Sequence, residues 1–436
     1  MTPDLSTAAL LQHSEQLLFL VLLQLTLIVL AARLGGIVAR RYFGQTPVIG
    51  EILVGILLGP SLFGALAPEW HAALFSHATL EPMQIMAQIG LILLMFQIGL
   101  EFDFSQLTRR SNRRAVLLVA LASLLLPFGL GLLFGYYGGP FLAPGVDPLA
   151  CALFVATAFS ITAMPILGRI MIDLRLNRLS IGVIAISAAA INDLVGWLLL
   201  AVVIALTLAN FSFLTFSAQL LLTLLFLLFC WLAVRPALKW LVAKLQRSLQ
   251  KHPDGGTLLD HNLLSLLLAA IFVAAMATTK LGLFAMFGAF VLGMLLHDEE
   301  ALVTAWEERI GALVQVFFLP VFFTFTGLRT DLGTLQTGTE WSWCLLLILL
   351  ATVGKFAGSY FAARAAGLGH TEGNILGIMM NTRGLMELVV INIGYDLGIL
   401  SPALFTMLVL MALFSTVITA PVLRYWIKQL GSKASA

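Results

Sequence analysis

Long apolar runs alternate with short polar connections from one end of the chain to the other. Each run has the length a bilayer core demands, about 20 residues at about 1.5 Å of helical rise. Hydropathy read against turn residues predicts thirteen membrane-spanning helices, roughly at 17–38, 46–63, 82–101, 115–137, 148–172, 180–208, 212–234, 258–279, 282–297, 310–327, 341–363, 372–395 and 402–425. The expected fold class is therefore an all-α polytopic membrane protein. Composition agrees: of 436 residues 60% are hydrophobic and 11% charged, where soluble chains hold about 45–50% and about 25%. So few charges cannot cover a water-facing surface. A net charge of +2 implies no nucleic-acid partner, and Cys151, Cys230 and Cys344 lie in apolar stretches, neither paired nor spaced for a metal. The first sixteen residues carry Asp4 and Glu15 without Lys or Arg, so a cleavable signal peptide is not expected.

The basic residues orient the chain, because cytoplasmic connections collect Lys and Arg. With the N-terminus outside and the C-terminus in the cytoplasm, 20 of the 24 basic residues fall on the inner side. They include Arg33, Arg40 and Arg41, the group Arg109, Arg110, Arg113 and Arg114, and Arg235, Lys239, Lys244, Arg247 and Lys251. Lys280 and Arg329 fall outside, while Lys355 and Arg383 lie within spans. The seven histidines sit in loops or near span ends, where solvated side chains are the ordinary case and pH sensing is permitted. The acidic stretch 298–308 is expected to be an interfacial surface.

One transmembrane domain, 1–436, is expected, with a linker at about 235–257 carrying Pro236, Pro253 and Gly255-Gly256. It separates two related halves, about 46–208 and 258–425. Val54-Gly55-Ile56-Leu57-Leu58 echoes Leu292-Gly293-Met294-Leu295-Leu296, and Gly99-Leu100-Glu101-Phe102-Asp103 echoes Gly327-Leu328-Arg329-Thr330-Asp331. In the predicted topology the paired segments end on opposite sides, as in the inverted repeats of secondary transporters.

Such transporters hold ions where helices break near mid-membrane and release backbone carbonyls. In the fifth span Pro165 lacks an N–H and opposes the carbonyl of Ile161, beside the hydroxyls of Ser160 and Thr162. In the twelfth, Met380-Asn381-Thr382-Arg383-Gly384 puts polar residues and a glycine amid apolar ones. The alternative is a simple proline kink and a polar helix contact.

An ionisable side chain at mid-bilayer costs at least about 2.5–3.5 kcal/mol, so each needs a reason. Asp193, in the sixth span, has the chemistry of a cation carrier: its carboxylate offers hard oxygens that a proton and an alkali ion can occupy by turns. It could instead pair with Lys355 to hold helices together. Arg383 and Glu387 are spaced to pair on one helix face, a structural brace together with Asn381. Asn192 supports Asp193 by hydrogen bonding, and Glu51 is a pathway candidate. There is no His-Glu-x-x-His, Gly-x-Ser-x-Gly or phosphate-cradling loop, so neither an enzyme nor a nucleotide-driven pump is expected. An intramembrane aspartyl protease built on Asp193 and Tyr395-Asp396 lacks a Gly-x-Gly-Asp motif.

With these residues the chain resembles the monovalent cation:proton antiporter-2 family, which includes Kef-type bacterial exchangers and plant cation/proton exchangers. The stretches that carry the resemblance are 47–60 (Pro-Val-Ile-Gly-Glu-Ile-Leu-Val-Gly-Ile-Leu-Leu-Gly-Pro), 99–103, Ser160 to Leu167, Asn192-Asp193, Gly288 to Gly293 and Asn381 to Leu388. The resemblance implies a sodium/proton antiporter-like fold with two crossed discontinuous helices, a homodimer in the plasma (inner) membrane, and an elevator-like motion of an ion-carrying core. It implies that Asp193 binds the alkali cation (Na⁺ or K⁺) and the proton, that Asn192 assists, and that Thr157, Ser160 and Thr162 contribute ligands, with no cofactor. Lys355 matches the family's intramembrane basic position. The Asn-Asp pair leans towards electroneutral exchange, whereas Lys355 resembles electrogenic members. Many relatives carry a cytoplasmic nucleotide-binding domain; here that regulation is expected to be absent or supplied by a separate subunit. The competing expectation is a sodium-coupled symporter of an organic solute on a related scaffold.

Overall fold

The computed structural model describes residues 5–100, 113–163, 166–167, 170–171, 176, 179–208, 213–240, 242, 261–281 and 285–434. All regular structure among them is helical. In chain order the α-helices are α1 (Leu5–Phe43), α2 (Pro47–Leu58), α3 (Phe63–Leu66), α4 (Pro68–Leu74), α5 (His77–Leu100), α6 (Arg113–Leu142), α7 (Pro148–Ser160), α8 (Ser180–Leu208) and α9 (Phe213–Phe229). They continue with α10 (His261–Lys280), α11 (Ala285–Leu295), α12 (Glu300–Trp306), α13 (Leu319–Leu328), α14 (Gly338–Ala365), α15 (His370–Met380), α16 (Leu385–Asp396) and α17 (Pro402–Ala434).

Among the described residues nine helices are long and apolar enough to cross a membrane, and the pair Leu302–Gly311 and Val314–Thr334, bent by 42°, makes a tenth span. These account for ten of the thirteen predicted spans. The other three are short or broken: α7 has 13 residues, α11 has 11, and the twelfth span is split into α15 with 11 and α16 with 12. At about 1.5 Å per residue none of these pieces crosses a hydrocarbon core of about 30 Å. Pro165, the stretch Glu101–Asp103, Arg109, Arg110 and most of the 235–257 linker lie outside the described residues.

The chain forms two compact units that each draw on both halves of the sequence. One comprises Met1–Gly35, Glu51–Asp103 and Ile204–Arg329. Within it the four glycines of the sequence echoes meet crosswise. A Cβ on Gly55 would collide with the Thr324 carbonyl and stand 2.8 Å from the Gly327 Cα, so α2 and α13 cross backbone to backbone. Gly99 and Gly293 do the same for α5 and α11, each Cβ position lying 3.0 Å from the other's Cα. The first copy of each echo thus packs on the second copy of the other, an arrangement an inverted repeat produces.

The second unit comprises Gly36–Gly50, Phe104–Val203 and Thr330–Ala436. Here α7 and α14 both pack along α6, and α15 lies against α14 and α17. An apolar cluster that includes Val119, Ile184, Ala188, Ile375 and Leu376 fills the space among α6, α8 and α15. Three helix starts in this unit follow capping rules. The Asp147 carboxylate accepts the Ala150 N–H at 2.8 Å ahead of Pro148, and Thr337 and Glu340 form a capping box at the start of α14. At the start of α15 the Glu372 carboxylate accepts the Gly369 N–H at 2.7 Å.

Candidate functional site

Helix α7 stops at Ser160 because Ile161 turns extended (φ −74°, ψ 145°), and residues 161–163 leave the helix. Helix α15 stops at Met380, and α16 resumes only at Leu385. The two breaks meet. The Ala163 N–H donates to the Thr382 carbonyl at 2.9 Å, and the Thr162 hydroxyl donates to the Met380 carbonyl at 3.1 Å.

A helix end leaves its last four carbonyls without intrahelical donors, a serious deficit where water is excluded. At the end of α7 side chains supply all four. The Ser160 hydroxyl donates to the Thr157 carbonyl at 2.9 Å. The Arg383 guanidinium donates to the Ala158 and Phe159 carbonyls at 2.8 and 3.1 Å. The Lys355 ammonium donates to the Ser160 carbonyl at 2.5 Å. Two basic side chains therefore cap the negative pole of a half-helix, the placement its dipole favours.

The Thr162 hydroxyl is saturated: besides its bond to Met380 it accepts from Lys355 Nζ at 2.6 Å and from Asn192 Nδ2 at 3.4 Å. Asn192 Nδ2 also donates to the Ser123 hydroxyl at 2.8 Å. Asp193 follows Asn192 on α8 and is 5% exposed, and Lys355 is fully buried. The charges that act on Lys355 are those of Arg383, Glu387 and Asp193. Arg383 and Glu387 pair at 2.9 Å, with Arg383 in the unwound stretch and Glu387 in the first turn of α16, where a helix favours an acid. A further contact at 3.3 Å joins Arg383 to the Ala351 carbonyl of α14.

Asp193, Asn192, Thr162, Ser160, Lys355, Arg383 and Glu387 thus gather around one crossing inside one unit. The Thr157 hydroxyl is turned back onto the Leu153 carbonyl at 2.7 Å, which spends its proton and leaves its lone pairs. Asn381 caps α15 and is fully buried, and neither amide atom has a hydrogen-bond partner among the described residues. Glu51 belongs to the other unit, where its carbonyl accepts from the Thr324 hydroxyl at 3.4 Å.

Two residues at the crossing escaped the sequence reading, Ser123 on α6 and Thr416 on α17, whose hydroxyl reaches the Arg383 carbonyl at 2.7 Å. Nothing in their neighbourhoods marks them, since a lone hydroxyl in an apolar helix ordinarily bonds to its own preceding turn.

This geometry has relatives. The sodium/hydrogen exchanger, transmembrane, family matches residues 28–428, and the chain belongs to that family. It is 36% identical over 406 residues to the Na(+)/H(+) antiporter NhaS4 of Synechocystis, covering 93% of this chain and 96% of that one. It is 36% identical over 407 residues to cation/H(+) antiporter 17 of Arabidopsis thaliana, covering 93% of this chain but 48% of the relative, so it spans about half the length of the plant protein. The solved structure of the sodium proton antiporter MjNhaP1 from Methanocaldococcus jannaschii shares the fold, with a TM-score of 0.65 at 15% identity over 96% of this chain and 99% of that one.

Proposed function

We propose that the chain is a monovalent cation:proton antiporter in which Asp193 carries the alkali cation and the proton by turns, with the Ser160 carbonyl, the Thr162 hydroxyl and Asn192 completing the site. One observation carries this reading. The Lys355 side-chain nitrogen already sits on the oxygen pair Ser160 O and Thr162 Oγ1 at 2.5 and 2.6 Å, in the place a monovalent cation would take. Those are hard, uncharged donors of the kind a dehydrated alkali ion needs, and the Asp193 carboxylate lies within electrostatic reach.

Lys355 holds the ligand oxygens until a cation takes them, and a proton released from the site compensates the arriving charge. Arg383 and Glu387 brace the crossing. The protein is a multi-pass membrane protein, placed by this reading in the plasma membrane with the N-terminus outside and the C-terminus in the cytoplasm, and working as a homodimer. The transported ion is Na⁺ or K⁺.

Replacing Asp193 by Asn tests the assignment. In everted vesicles or proteoliposomes, cation-driven proton flux is expected to vanish while size-exclusion profile and thermal midpoint stay near those of the parent protein. Exchange that survives in Asp193→Asn would remove Asp193 from the carrier role.

A further inference from the structure

Thr416 lies on α17, which carries none of the charged groups of the crossing. Its hydroxyl nevertheless stands 2.7 Å from the Arg383 carbonyl in the unwound stretch and 2.9 Å from the Ala412 carbonyl one turn back on its own helix. The residue is 3% exposed. A threonine hydroxyl has one proton, so these two carbonyls compete for it.

The Arg383 carbonyl needs that proton. The first ladder bond of α16 runs from the Leu388 N–H to the Gly384 carbonyl, so the Arg383 carbonyl falls one residue outside the helix. Its neighbours are held from elsewhere: Met380 by Thr162, Thr382 by Ala163, and Met379 by the Thr382 hydroxyl at 2.8 Å. A carbonyl released at mid-membrane is itself a cation ligand. The next residue of α17 is also engaged, its carbonyl accepting from Gln45 Nε2 in the α1–α2 connection at 3.1 Å. One turn of α17 therefore ties that connection to the unwound stretch within the same unit.

We infer that Thr416 is a positioning residue for transport: a latch that holds the Arg383 carbonyl, and with it residues 381–384, in register with the cation site. Letting go strands no buried donor, because the proton passes to the Ala412 carbonyl, and it leaves the Arg383 carbonyl open to a cation. A brace without that second acceptor would strand its own hydroxyl proton at each movement of the stretch. The inference rests on the antiport reading only in that transport supplies its readout.

The test compares Thr416→Val, which keeps the shape and removes the hydroxyl, with Thr416→Ser, which keeps the hydroxyl. Proteoliposome exchange is measured for Na⁺ and K⁺ separately, with the parent protein as reference. In Thr416→Val the apparent KM is expected to rise about fivefold and the Na⁺/K⁺ preference to change, because a loosened ligand loop affects the smaller ion more. Maximal rate should stay within about twofold, and Thr416→Ser should restore both KM values. Unchanged KM values and preference in Thr416→Val overturn the latch while leaving the antiporter intact. So does a lowered thermal midpoint with equal loss for both ions. If Thr416→Val does not fold, Thr416→Ala carries the same comparison, and failure of both to fold marks the residue as a structural brace and ends the proposal. Absence of exchange in the parent protein would instead refute the antiport reading.

Discussion

Lys355→Met puts the central electrostatic idea at risk. Methionine keeps most of the length of the lysine stem and removes the ammonium. Two charge-assisted hydrogen bonds are lost, to Ser160 O and Thr162 Oγ1, each worth about 1.5–3 kcal/mol. Set against this is relief from burying an ammonium, itself several kcal/mol after relaxation. The net loss of stability should therefore be small, on the order of 1–2 kcal/mol. The effect on cation binding has the opposite sign. Unit charges about 4 Å apart repel by about 4 kcal/mol at an effective dielectric of about 20. Realising even a third of that on removing the ammonium strengthens cation binding about tenfold. The purified variant should be stabilised by NaCl or KCl relative to choline chloride, by about 2.7 kcal/mol at a hundred times the dissociation constant. Exchange should show a lower apparent KM and a slower turnover, since release of the ion loses its competitor. Differential scanning fluorimetry across salts and proteoliposome flux read these separately. A Lys355→Met protein whose thermal midpoint falls equally in all three salts, or whose KM rises, would refute the stand-in cation and leave Lys355 a helix brace.

Two further predictions address the scaffold. Gly327→Val puts branched carbons into the Gly55 backbone, whose Cα lies 2.7 Å from the added Cβ position, and is expected to abolish the folded protein. Gly129→Val, where nothing lies within 4 Å, should express normally, and comparable yields for the two would dismiss the backbone crossing. Asp298 lies beyond α11 and pairs with Lys239 and, at 3.1 Å, with Arg235. Partial burial opposes its charge, but the Lys239 hydrogen bond and the two basic charges outweigh it and hold the carboxyl below its usual range. A depressed pKa stabilises above the unfolded value of about 3.9 and is lost as pH falls through the folded value. With the side chain 37% exposed, Asp298→Asn should cost at most about 1 kcal/mol at pH 7. That difference should close as the pH falls below about 4, whereas a gap constant with pH would show that charge is not its cause.

Much of this architecture is legible in the residues, for reasons that also explain what is not. Hydropathy averages over a whole crossing, so the ten full spans stand out, while α11 looks like a span although it has 11 residues. A break shows when polar side chains mark it, as Asn381-Thr382-Arg383-Gly384 do. Asp193, Lys355, Arg383 and Glu387 were visible because ionisable residues are rare in apolar helices. Glu51 carries the same signature, yet it belongs to the other unit, and hydropathy says nothing about which unit a span joins. The partners of the charges were hidden. Arg383 and Lys355 are bound to the carbonyls of Ala158, Phe159, Ser160 and Ala351, and a backbone carbonyl leaves no mark on residue identity. Thr416 and Ser123 were hidden because the same hydroxyl occurs in helices where it only touches its own turn.

The charges of the crossing also explain why such a site exchanges rather than conducts. Asp193, Glu387, Lys355 and Arg383 are two acids and two bases, formally neutral together. Arg383 and Glu387 are committed to each other at 2.9 Å and Arg383 to the end of α7, which leaves Lys355 and Asp193 to balance whatever enters. In the proposed site, an alkali ion taking the Ser160 carbonyl and Thr162 hydroxyl would add one positive charge among buried groups, where an unbalanced charge costs several kcal/mol. The charge is cancelled if one proton leaves as the ion arrives. In the proposed cycle the reverse step obeys the same constraint: as the metal ion leaves, Asp193 takes up a proton and the Lys355 side chain returns to the last carbonyl of α7. On the proposed reading one monovalent cation is exchanged for one proton at each visit. On the same reading a divalent ion would leave one charge uncancelled, so burial of the proposed site disfavours it.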